Sequence, residues 1–204
     1  SFSTAISNVM LPKVTKMEAN NASNKEFTNI FIKTGRIQFA IMGLILTGFL
    51  LFGKTFIDIW AGEGYKDAYY IACILMIPVT VPLIQNIGLS ILQAKNKHKF
   101  RTVVFFVIAV LNIFLSIPLA KLYGGIGTAI GTAISLVLGQ IITLNIYYHK
   151  VIHIDIIKFW KSILIMAIPV VLSYMFGFSI IVLFNVTGVI PMIVTAGVYV
   201  IAYI

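Results

Sequence analysis

The sequence predicts an all-α fold, a polytopic transmembrane helix bundle, and three observations carry the prediction. Hydrophobic residues make up 60% of the 204, only 10% are charged, and the mean hydropathy is +1.02; soluble domains carry about 25% charged residues. The uncharged residues gather into runs, 37–53, 68–94, 102–120, 122–149 and 162–204, and a Lys, Arg or Asp at mid-bilayer costs about 2.5 to 3.5 kcal/mol. Lys and Arg fall on alternate connections between those runs. Twelve stand on one side (Lys13, Lys16, Lys25, Lys33, Arg36, Lys95, Lys97, Lys99, Arg101, Lys150, Lys158, Lys161) and three, Lys54, Lys66 and Lys121, on the other. The richer side is expected to be cytoplasmic.

Taken in order, residues 1–11 read as the end of a helix that leaves near Pro12. Residues 13–35 read as a cytoplasmic connection with an amphipathic helix lying at the interface: Ser23-Asn24-Lys25-Glu26 fits a capping box, and Phe27, Ile30 and Phe31 share one face. The chain is expected to enter the bilayer near Gly35-Arg36. Spans follow at 37–57, 68–93, 102–121, 126–148 and 162–184, with a truncated one at 189–204. The run 162–204 would be about 65 Å as one rod against a hydrocarbon core of about 30 Å, so it must fold back, at Asn185-Val186-Thr187-Gly188. Ser1 in place of an initiator Met, and an apolar run to Ile204, suggest a piece of a longer chain.

The net charge of +9 would point to nucleic acid in a soluble protein. In this chain it sets orientation, and no nucleic-acid partner is expected. The lone Cys73 permits no intrachain disulfide. The burst Lys95, Lys97, Lys99, Arg101 is at least a topology signal, and it also suits contact with anionic lipid or substrate headgroups. Pro78 and Pro82 kink the span 68–93 beside Gln85 and Asn86, which marks either a hinge or polar packing. Asn112 and Ser116 in the next span stand where they could meet those amides. Gly127, Gly131, Ser135 and Gly139 form a small-residue stripe for close helix packing, after a tight turn at Gly124-Gly125. The loop 58–67 holds three of the six acids beside Trp60 and Tyr65, an interfacial belt with a weak suggestion of sugar contact. His149 and His153 lack a third ligand, so neither a metal nor any cofactor is expected. The sequons at Asn21 and Asn185 fall on opposite sides of the membrane, and at least one is chance. No motif for nucleophilic, phosphate-loop or zinc chemistry occurs, so the chain is not expected to be an enzyme.

The order of Pro12, Arg36, "GEGYKDAYYIACILMI", "LQAKNKHKF" and "YGGIGTAIGTAIS" resembles the second half of bacterial polysaccharide flippases, the O-antigen, capsule and exopolysaccharide exporters of the multidrug/oligosaccharidyl-lipid/polysaccharide superfamily. That resemblance covers the chain to about His149. It implies two lobes of six or seven helices around a central cavity, this chain forming most of the second and packing against a missing N-terminal lobe. It further implies a lipid-linked oligosaccharide, with its pyrophosphate headgroup, carried by alternating access across the bacterial cytoplasmic membrane among membrane lipids. Arg36, Gln85, Asn86, Lys95, Lys97 and Asn112 are the expected substrate-binding residues. Because the spans carry no interior charge, anion recognition is expected to lean on the missing lobe. A multidrug exporter of the same superfamily would want a buried carboxylate, and a membrane polysaccharide polymerase or glycosyltransferase would want a large outer loop or clustered acids; neither is visible.

Overall fold

A computed structural model of the protein describes residues 2–183 and 188–203. Among them the elements are α1 (Phe2–Ala19), α2 (Asn24–Trp60), a 3₁₀ turn (Glu63–Tyr65), α3 (Lys66–Ile84), α4 (Ile87–Ala94), α5 (His98–Leu136), a π-helical stretch (Val137–Thr143), α6 (Leu144–Lys150), α7 (Ile156–Leu183) and α8 (Val189–Tyr203). No strand occurs among the described residues. Four stretches are long and apolar enough to cross a membrane, Asn24–Trp60, Lys66–Ile84, His98–Lys150 and Ile156–Leu183. The protein is an all-α membrane helix bundle that crosses more than once.

Two expected boundaries near the start are corrected. Helix α1 does not leave at Pro12 but runs on to Ala19. A proline inside a helix costs about 3 kcal/mol through one lost hydrogen bond and a carbonyl clash; α1 lies along α4 and buries Val14 completely, which offsets that loss. The amphipathic stretch and the first span are likewise one helix, α2, of 37 residues, about 55 Å long. Gly35 does not break it. A side chain there would collide with Phe159 of α7, 2.5 Å from its Cε2, so the glycine admits a neighbouring helix. Since α2 exceeds the hydrocarbon thickness by about 25 Å, its first turns stand outside the apolar layer.

The expected span 68–93 divides into α3 and α4, and the prolines are not where it divides. The helix passes through Pro78 and Pro82 and gives way at Gln85-Asn86, where the Asn86 N–H bonds to the Leu83 carbonyl at 3.3 Å in a tightened turn. The next two spans form a hairpin. Helix α5 reverses at Gly124, whose φ of 57° and ψ of −136° lie where only glycine sits without strain. Limb 98–123 then packs antiparallel on 125–150. A side chain at Gly127 would strike the Leu119 carbonyl, one at Gly131 would meet Ser116, and one at Gly139 would overlap Ile108. The small-residue stripe is therefore the seam of this hairpin.

Helix α7 starts six residues earlier than the expected 162, at Ile156, because Asp155 accepts from the Lys158 N–H at 2.9 Å and caps it. The expected turn at Asn185-Val186-Thr187 lies outside the described residues. Helix α8 returns along α2, held by Tyr199 Oη donating to Thr47 Oγ1 at 2.6 Å and Tyr203 Oη donating to the Ala40 carbonyl at 2.8 Å.

The dry core sits at one end of the bundle, the end where the twelve cations gather. Val14, Phe27, Phe31, Ile84, Ile87, Ile91, Leu92, Tyr148, Ile154 and Phe159 meet there, and Phe31 lies edge-on to both Tyr148 and Phe159. Toward the other end the helices expose apolar faces, such as Leu164, Ile168, Leu172 and Phe176 on α7, as lipid-facing surfaces do.

Candidate functional site

Helix α2 sorts its residues at the basic end into two faces. Phe27, Thr28, Ile30, Phe31, Thr34, Gly35 and Gln38 are buried. Asn29, Lys33, Arg36 and Ala40, spaced by four, three and four, form the opposite face. Ser23 starts the helix: its N–H donates to Glu26 Oε2 at 2.7 Å, and Glu26 N–H donates back to Ser23 Oγ at 3.4 Å, the capping box the sequence predicts. Thr28 Oγ1 accepts from the Asp155 N–H at 3.1 Å, which ties the start of α7 to α2 and sets Lys158 beside the polar face.

The result is an open groove of about 610 Å³. Lys33, Arg36 and Lys158 supply its charge, Asn29 an amide, and Ile37, Ile41 and Met166 an apolar wall. A second hollow of about 380 Å³ continues it toward α1, sharing Asn29 and Lys33 and adding Lys13 and Glu26. Four cations thus face one acid whose carboxylate is engaged by Ser23. Among the described residues the one ion pair is Lys95–Glu18, so the groove cations neutralise nothing within the bundle. Arg36 Nε meets only the Met166 sulfur, at 3.0 Å, a weak acceptor. Cations and a guanidinium fork beside apolar side chains are the chemistry that suits a phosphate-type anion with an apolar attachment.

Of the six residues singled out from the sequence, Arg36 alone lines this groove. Lys95 is committed elsewhere, 2.8 Å from Glu18 Oε2 and 4.2 Å above the Phe27 ring. Lys97 donates to the Val151 carbonyl at 3.2 Å. Gln85 is buried and exchanges amide hydrogen bonds with Asn145, Nε2 to Oδ1 at 2.9 Å, and Trp160 Nε1 donates to the same oxygen at 3.1 Å. Asn86 is buried at the α3–α4 break. Asn112 does not reach Gln85 or Asn86; Ser116 Oγ, one turn on in the same limb, donates to its Oδ1 at 2.5 Å, and Thr132 Oγ1 donates to it at 3.0 Å from across the hairpin. Lys33, Lys158, Asn29 and Lys13 went unselected, although the period of a continuous α2 links Asn29, Lys33 and Arg36.

No protein-family model, curated protein or solved structure matches the chain.

Among the described residues no cluster of His, Cys, Asp and Glu could hold a metal ion, and His149 Nδ1 lies 3.3 Å from the Ile154 carbonyl.

Proposed function

We propose that the chain is the second-lobe portion of a transporter that flips a polyprenyl-pyrophosphate-linked oligosaccharide across the bacterial cytoplasmic membrane by alternating access, for surface polysaccharide synthesis. The observation that carries this reading is the groove on α2: three unpaired cations, Lys33, Arg36 and Lys158, beside the apolar wall of Ile37, Ile41 and Met166. A pyrophosphate headed by a long hydrocarbon needs that combination, a cationic seat at the interface with an oily continuation. The ordered motifs and the alternation of twelve cations against three support the same reading, with the groove on the cytoplasmic face. The break between α3 and α4 at Gln85-Asn86 is the joint that alternating access would use. The test is the triple variant Lys33→Gln, Arg36→Gln, Lys158→Gln in the full-length protein at equal abundance. Surface polysaccharide should fall at least about tenfold, corresponding to about 1.4 kcal/mol of lost headgroup binding; unchanged export would remove the groove from the mechanism.

A further inference from the structure

At the end of the bundle remote from the basic groove, α2 and α3 enclose a recess of about 150 Å³ lined by Lys54, Asp58, Lys66, Tyr69 and Tyr70. Two of the three lysines assigned by sequence to that side meet here. Among the described residues neither they nor Asp58 forms an ion pair, so two unpaired lysines and a single acid line one small space. The volume equals about five waters at 30 Å³ each, the size of a phosphate or pyrophosphate group and far too small for an oligosaccharide. Tyr69 is fixed, stacking on Phe49 with its hydroxyl donating to the Leu50 carbonyl at 3.1 Å, so the floor is preformed. Lys54 also stands eighteen residues, five turns, beyond Arg36 on α2, on the same line of that helix and about 27 Å away. Between them the line passes Gly43 and Thr47, which α8 covers with Tyr203 and Tyr199.

We infer that the Lys54–Lys66 recess is a second anion site, taking a phosphate or pyrophosphate group, separated from the basic groove by α8. Asp58 opposes the two lysines and makes the site weaker than the groove, which suits release. The inference stands whether or not the chain is a flippase. If it is, α2 carries one headgroup station at each end.

Amine acylation read by mass spectrometry tests it on the full-length protein in nanodiscs. Lys54 and Lys66 should acylate severalfold more slowly with millimolar inorganic pyrophosphate in phosphatidylcholine discs, or, where a lipid headgroup is the occupant, in phosphatidylglycerol discs without pyrophosphate. Lys121, exposed on the same side but outside the recess, serves as the control and should not change. Asp58→Asn should deepen the protection. Equal rates at all three lysines in every arm overturn the site, as does protection by a neutral hexose and not by pyrophosphate. Lys33→Gln with Arg36→Gln leaves the outer protection intact if the two stations are independent, and its loss in that variant overturns their separation.

Discussion

Gln85 and Arg36 show how differently two polar residues of an apolar chain are spent. Gln85 faces Asn145 in a reciprocal amide pair with Trp160 completing it, so removing one partner strands buried groups. Gln85→Leu should lower stability by about 1 to 3 kcal/mol, seen as an earlier thermal unfolding midpoint in detergent, and Asn145→Leu added to it should cost less than the sum of the two. A pathway role for Gln85 would instead show as lost export at unchanged stability. Lys95 and Glu18 form a pair whose side chains are 16% and 37% exposed; screening limits it to about 0.2 to 1 kcal/mol, and the exchanged pair Lys95→Glu with Glu18→Lys should recover most of what either single change loses. Arg36 stands out in the sequence because a cation borders the apolar run 37–53. Lys158 does not, since the packing of α7 on α2, seen in the Phe159–Phe31 and Asp155–Thr28 contacts, is what brings it to the groove, and a contact between residues 127 apart leaves no trace in local pattern. The partners of Lys95 and Lys97 were illegible for the same reason: Glu18 and the Val151 carbonyl lie 77 and 54 residues away.

At the scale of elements, uncharged length marked the rods well and their joints less well. The seam of glycines and serine from Gly127 to Gly139 was readable because lipid gives helices no reason to associate except fit, so small residues at a spacing of four advertise close approach. The hairpin predicts a size dependence. Gly139→Leu should prevent folding or greatly reduce membrane-inserted protein, whereas Gly139→Ala with Ile108→Ala should recover stability relative to Gly139→Ala alone, because Ile108 fills the place a side chain would take. Insensitivity of yield to both would contradict the seam. The joints were harder to read. Pro12, Pro78 and Pro82 all lie within continuous helix, because a membrane bundle supplies packing that a proline alone does not overcome. Gly35 suggested an entry point and proved to be a contact with Phe159. What looked like a separate interfacial helix and a span is one long helix whose amphipathic start protrudes from the apolar layer, and that continuity is what lines up Asn29, Lys33 and Arg36.

Across the whole molecule the packed core and the cations share one end, while the other end is apolar surface with a small charged recess. The zigzag expected from the sequence would keep Lys33, Arg36 and Lys158 in one aqueous compartment and Lys54, Lys66 and Lys121 in the other. The count of basic residues predicts a sidedness on its own, because the cost of moving a cation through hydrocarbon sorts loops irrespective of how the helices later pack. The packing that turns those cations into a groove was not legible in the sequence. The most direct test is cysteine accessibility in intact cells, with Cys73 replaced by Ala and single cysteines placed at Asn29, Lys97 and Gly64. A membrane-impermeant maleimide added from outside should label Gly64→Cys, and should reach Asn29→Cys and Lys97→Cys only after the membrane is permeabilised. Equal labelling of all three from outside would contradict the topology, and with it the cytoplasmic placement of the groove.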